Sequence, residues 1–180
     1  MSPESPLQQL RVGVTARERY PEGRYAWDNR DRTPHVIIQR TEVGRGWFEQ
    51  NGRRAEIVAG QAFICEVPSA TSYGAEPGAP YALEFLTIHG VLAMRLAGAF
   101  RSAFGPVVAL SAMPESCSRF RELVRLWSER RLRDPFDEAI RLFELFASLH
   151  REASRAAHPA DPVAAVHERI GERFREPLTI

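Results

Sequence analysis

Lysine is absent from this chain, and all 24 of its basic residues are arginine. That uniformity reads as a genomic base-composition bias before it reads as function. With 23 acidic residues the formal charge is only +1, so no strong field draws the chain to nucleic acid or to a membrane surface. Cysteine is scarce as well: Cys65 and Cys117 are the two present, which is no disulfide framework and points to reduced thiols and a cytoplasmic location. No apolar run is long enough to span a bilayer, and no signal-peptide pattern opens the sequence, so no membrane partner is expected. The common catalytic signatures are missing too. There is no G-x-S-x-G, no phosphate-binding glycine loop and no activated-cysteine pattern. Of the five histidines, His150, His158 and His167 lack a paired ligand spacing such as H-E-x-x-H.

What is present is a chain of 180 residues, 44% hydrophobic and 26% charged, which suits one globular domain with at most a short appendage. Its centre, Thr41 to Gly90, reads as short strands cut by turns. Val36 to Thr41 stops at Gly44-Arg45-Gly46, and Trp47 to Gln50 meets Asn51-Gly52. Asn and Gly accept positive φ at little cost, so this pair between apolar runs predicts a hairpin. Arg54 to Val58 leads to Ala59-Gly60. Ala62 to Val67 ends at Pro68, which lacks the donor a ladder needs. A Ser/Thr/Gly/Pro-rich loop follows, then a last strand, Tyr81 to Ile88. Such punctuation predicts an antiparallel sandwich or barrel.

Ahead of this region Met1 to Pro6 reads as a weakly held arm and Leu10 to Ala16 as an edge strand. Tyr20 to Arg32 is dense in aromatics and arginines. It is either a solvated loop with Trp27 tucked onto the barrel or one wall of a ligand pocket. Aromatic faces stack on rings there while an arginine fork holds an oxygen. Beyond Gly90 the hydrophobic period lengthens to about 3.6. Val91 to Phe104 predicts a helix stopped by Gly105-Pro106, and Val107 to Leu110 a brief return to the sheet. Two longer helices are expected over Ser116 to Leu132 and Pro135 to Ala156, the second capped by Asp134 ahead of a proline at its first position. The belt from Ala139 to Leu149 exceeds one stripe and needs partners on two sides. Those partners are the barrel and the preceding helix, a second subunit, or both.

The pattern Gly44-x-Gly46, Asn51-Gly52, Val58-Ala59-Gly60 and the Pro68 turn resembles the cupin, a small double-stranded barrel. Over about residues 20–115 it most resembles the sensor half of AraC/XylS-type transcriptional regulators. Near the other end, Val163, Val166, Ile170 and Phe174 followed by Glu176-Pro177-Leu178-Thr179-Ile180 resemble the opening of the AraC-type DNA-binding domain. The two resemblances occur in the family's order. They imply an α+β fold, a cupin-like double-stranded antiparallel β-barrel followed by α-helices. The implied divisions are a ligand-binding barrel over 1–115, dimerisation helices over 116–157, and a linker with the first DNA-binding helix over 158–180. On this resemblance the recognition helix lies beyond Ile180. The implied partners are a small-molecule effector such as a sugar or other metabolite, a second copy of the chain, and DNA only through the absent C-terminal half.

The resemblance also implies a site. The family's sugar sensor holds its ligand through an arginine before the first core strand, which matches Arg30 or Arg32. A tyrosine after the proline turn matches Tyr73, and two inward positions on the last strand match Leu83 and Phe85. Leu83 stands where that sensor has a polar group, and a one-residue slip would turn Glu84 and Leu86 inward instead. Trp27 joins this set, and Leu123, Trp127, Leu142 and Phe146 are the expected dimer contacts. No cofactor is expected. A metal cupin would carry an H-x-H pair and a glutamate after the first glycine, whereas Arg45, Gly46, Trp47, Phe48 and Glu49 stand there. A His35/Glu84/His89 cluster would need all three side chains on one face. A small cupin enzyme with an atypical metal site is therefore the alternative to a non-enzymatic sensor.

Overall fold

The computed structural model describes residues 10–30 and 32–158. The expectations for the N-terminal arm, Met1 to Pro6, and for the helix and E-P-L-T turn beyond His158 lie outside them. Two antiparallel sheets face each other. One has the strand order β1-β8-β3-β6-β9, the other β2-β7-β4-β5, from β1 (Arg11–Tyr20), β2 (Ala26–Asp28), β3 (His35–Val43), β4 (Arg45–Gln50), β5 (Arg53–Val58), β6 (Ala62–Val67), β7 (Thr71–Ala75), β8 (Tyr81–His89) and β9 (Val107–Val108).

Alternation along these strands makes two cores. On β3, Ile37 joins Phe48, Ile57, Phe63, Cys65, Val67 and Tyr73 between the sheets. Val36 and Ile38 point the other way, with Ile64, Leu86 and Ile88, into a second core beneath the helices. Strands buried on both faces lose the clean polar alternation of a half-exposed strand, which is why β3 and β6 read as continuous apolar runs. The β4–β5 hairpin turns at Asn51 and Gly52, with φ of 51° and 75°, the left-handed pair the Asn-Gly signal predicts.

Three helices cover the outer face of the five-stranded sheet: α1 (Val91–Phe104), α2 (Pro114–Ser128) and α3 (Pro135–Ala157). α1 buries Ala93, Ala97 and Phe100, the spacing of one helix face. The side chain of Asp134 accepts from the backbone N–H groups of Phe136 and Asp137, at 2.8 Å each, and so caps α3 as expected. These helices have no core of their own: Phe120, Leu123, Leu142, Leu145 and Phe146 pack in the same cluster as the strand residues.

The structure departs from the sequence expectations in four places. The loop after Pro68 contains β7, which pairs with β4 and β2 and buries alternate positions Thr71, Tyr73 and Ala75. Part of the Tyr20–Arg32 segment is β2. The first strand runs on to Tyr20 because β8 pairs with it as far as Tyr81. α2 ends at Ser128, short of Leu132, because Arg130 turns left-handed with φ 54°. The N–H of Arg131 then bonds back to the carbonyl of Leu126 at 2.8 Å, a Schellman-type closure.

The expected dimer contacts are also revised. Leu123, Leu142 and Phe146 are buried inside the chain, and Trp127 packs half-buried against the same core. α2, α3 and the sheet cover one another along that face. The apolar face of α3 left in solvent is Phe136, Ile140 and Phe143, at 62%, 59% and 53% exposure.

Candidate functional site

Between the sheets lies a cavity of about 580 Å³ lined by residues of β1, β2, β3, β7 and β8 and of the loop that follows β2. β8 presents Phe85, Thr87 and His89 to it, and β3 presents His35, Ile37 and Gln39. These are alternate residues, as the pleat requires. The register of β8 is thus the one that turns Leu83 and Phe85 inward. Glu84 faces away, 2% exposed, where it pairs with Arg40 at 2.9 Å and with Arg17. His35 and His89 do meet, with ring centroids 5.5 Å apart. Glu84 on the opposite face cannot join them, so the postulated His35/Glu84/His89 cluster does not form. Among the described residues no group of three His, Cys, Asp or Glu is arranged to hold a metal ion.

Of the sequence-derived ligand residues, Trp27, Arg32, Tyr73 and Phe85 line the cavity. The Arg32 guanidinium lies 4.4 Å from the Trp27 ring centroid, and its Nε donates to the carbonyl of Asp28 at 3.1 Å. Arg30 is not in the lining: it engages the Asp28 carboxylate, with Nε contacts of 3.0 and 3.1 Å, which holds that carboxyl down at about 2. Leu83 is fully buried beside Ala75 and Tyr81, beneath the cavity and outside its lining. Of the two arginines, the structure brings Arg32 to the site.

The polar floor was not legible in advance. The Tyr25 hydroxyl donates to Gln39 Oε1 at 2.6 Å, the Gln39 amide donates to the Tyr81 hydroxyl at 3.4 Å, and Tyr81 shares a 3.0 Å bond with Thr41. Burial pushes the Tyr25 and Tyr73 hydroxyls well above their ordinary range, so both stay protonated and act as donors. Asn29, in the cavity wall, donates to Thr71 at 3.0 Å, while its buried Oδ1 has no partner among the described residues. Glu18 stands across the cavity and accepts from the Tyr20 hydroxyl. The signal that would have found His35, Gln39, Thr87 and His89 is parity: on β3 and β8 they fall in step with Ile37 and Phe85.

A barrel of this topology with a cavity in its interior is a cupin. The family model of the AraC-like ligand binding domain matches residues 14–160, and the chain belongs to that family; it is an effector-sensing regulatory domain of the AraC type. Among solved structures it is similar to the AraC-like transcriptional activator CuxR, with a TM-score of 0.55 at 13% identity over 81% of this chain and 54% of that one. ToxT from Vibrio cholerae O395 follows at 0.46, with 11% identity over 75% of this chain and 51% of that one. A predicted oxalate decarboxylase from Thermotoga maritima superposes at 0.33, with 20% identity over 43% of this chain and 67% of that one. The chain thus spans about half the length of the first two. No curated protein matches the sequence.

Proposed function

We propose that this domain binds one small organic effector inside the barrel and, as a homodimer, controls a DNA-binding half that follows it in the full protein. The observation that carries the reading is the cavity itself. It has the size of a pocket for a single metabolite and pairs aromatic walls with a few fixed polar groups, in a chain of a ligand-binding family. Trp27, Arg32, Tyr73 and Phe85 are the proposed contacts from the sequence, and Gln39, Tyr25 and the two histidines are added by geometry. A sensor needs no reacting group, and we read the domain as non-enzymatic and cytoplasmic. No helix among the described residues is long and apolar enough to cross a membrane.

The dimer is proposed through α3. Phe136, Ile140, Phe143 and Ala147 are all exposed and are spaced four, three and four apart, the a/d spacing by which one helix packs along another. The occupant this spacing fits is the same helix of a second copy. A two-fold pair also suits a regulator that reads paired half-sites in DNA.

A thermal-shift screen against sugars, organic acids and aromatic metabolites should return a stabilising compound, because a binder of the native state raises stability by mass action. Phe85→Ala and Tyr73→Ala should then weaken that compound about tenfold or more, ~1.4 kcal/mol each. Unchanged affinity in both variants would place the effector elsewhere. Stoichiometric iron, manganese or zinc in the purified protein would favour the enzymatic alternative.

A further inference from the structure

One end of the cavity carries three groups able to hold positive charge. His35 and His89 sit directly across adjacent strands, since Val36 pairs with Ile88 in the β3–β8 ladder, and Arg32 closes the same end from the loop after β2. Among the described residues, the carboxylates nearby are engaged elsewhere. Asp28 is held by Arg30, Glu84 is on the outer face with Arg40 and Arg17, and Glu18 is across the cavity with Tyr20. His35 is tethered through Nδ1 to the carbonyl of Thr33 at 2.6 Å, which leaves Nε2 for something else. The His89 ring packs with its Nε2 edge toward Gly13: a Cβ there would run into Nε2 and would lie 2.6 Å from Thr87 Oγ1. The end of the cavity is therefore built, and His35 Nε2 and His89 Nδ1 have no hydrogen-bond partner among the described residues.

Resting on the reading of this cavity as the effector site, we propose that the effector is a small monocarboxylate. Its carboxylate sits between His35, His89 and Arg32, and its apolar body lies on Phe85, Ile37 and Tyr73. A single negative charge is the match because Arg32 is the one permanent cation among the described lining residues; Arg11, opposite His89 in the β1–β8 ladder, stands outside that lining. Two imidazoles supply the rest on protonation. Glu18 at the far end disfavours a second carboxylate there and accepts a hydroxyl. The charge balance agrees. Burial, then the neighbouring His89 and Arg32, holds the His35 imidazole below its ordinary range despite the Thr33 carbonyl. An anion placed among these groups reverses that repulsion and draws a proton onto His35. Affinity for the acid then rises as pH falls from about 8 to about 6, the range where imidazoles titrate.

The test uses matched probes: benzoate and 3-phenylpropanoate, their neutral amides, and terephthalate as a diacid. Each is titrated by calorimetry at both pH values into the wild type, His35→Gln, His89→Gln and the double variant, with the histidine ring resonances followed by NMR. The proposal expects a monoacid to bind at least about tenfold tighter than its amide and than the diacid, ~1.4 kcal/mol. It also expects tighter binding at the lower pH, with that pH dependence gone in the double variant. Should either glutamine variant melt early, the ring resonances of the wild type give the same answer: acid, and not amide, shifts them toward the protonated form. If the amides or neutral sugars bind as well as the acids, or the histidine variants keep full affinity, the carboxylate assignment falls while the cavity remains an effector site. If no probe, charged or neutral, binds or perturbs a residue of the cavity at millimolar concentration, the assignment and the effector reading fall together.

Discussion

Leu83 and Glu84 are neighbours in the chain that face opposite sides of the same strand. Leu83 is sealed between the sheets, while Glu84, equally buried, looks toward the helices and answers Arg40 and Arg17. An ionised carboxylate in such a place is stable only with its partners, and removing it leaves the Arg40 guanidinium, 16% exposed, without its main counter-charge. Breaking a buried pair from one side typically costs 3–5 kcal/mol, so Glu84→Ala should lower the urea midpoint markedly. A shift within experimental error would mean that solvent reaches Arg40. His35 gives a second residue-scale expectation. Its folded pKa lies below the ordinary value near 6.5, so below that value the unfolded chain binds more protons than the folded one. Stability is then full above about pH 6.5 and falls as pH drops toward the folded pKa. Melting temperature measured from pH 7.5 to pH 5.5 should fall less in His35→Gln than in the wild type. A saturating carboxylate effector should flatten the wild-type curve. Parallel curves for the two proteins would show that burial of His35 does not shift its titration.

At the scale of elements, legibility followed chemistry that acts locally. The Asn51-Gly52 hairpin, the Gly105-Pro106 stop and the Asp134 cap are all signals carried by one or two residues, and all three stand in the structure. What was not legible depends on partners distant in sequence. β7 looks like a loop because Thr71-Ser72-Tyr73-Gly74-Ala75 holds few residues that favour strands. It extends because β2 and β4 flank it on both sides, so pairing overrides propensity. The cavity divides the same way. Phe85 and Tyr73 were visible through resemblance, while the Tyr25–Gln39–Tyr81–Thr41 chain needs two strands, β3 and β8, and a loop to meet. Two measurements probe these elements. Asp134→Ala removes the acceptor for two N–H groups at the start of α3 and should cost about 0.5–2 kcal/mol, a fall in Tm of about 1–8 °C for a chain of this size. Tyr25→Phe leaves the buried Gln39 oxygen without its 2.6 Å donor and should cost about 1–3 kcal/mol. An unchanged melt for Tyr25→Phe would mean that water replaces the hydroxyl in the cavity.

At the scale of the molecule, the helices and the outer face of the five-stranded sheet share one core. That sharing decides where a second chain can dock. The sequence shows that the α3 belt is too wide for one partner, but it does not say which side the chain itself covers. Leu142 and Phe146 belong to the covered side, so Leu142→Glu or Phe146→Glu buries an unpaired charge and should unfold the domain without addressing assembly. Ile140 and Phe143 belong to the open side. Each forgoes about 1.5–3 kcal/mol of burial while exposed, and with Phe136 they form a contiguous apolar strip, the kind of surface that marks an interface. The charged groups beside the strip are internally paired, Arg141 with Asp137 at 2.8 Å and Arg119 with Glu144. A second copy can therefore approach without stranding a charge. Light scattering across a dilution series should give a dimer mass for the wild type at tens of micromolar and a monomer mass for the Ile140→Glu, Phe143→Glu double variant. The circular-dichroism melt of that variant should stay within a few degrees of the wild type, since both side chains already face water in the single chain. A monomeric wild type would remove the dimer from the proposed function. A dimer that persists in the double variant would move the contact off α3.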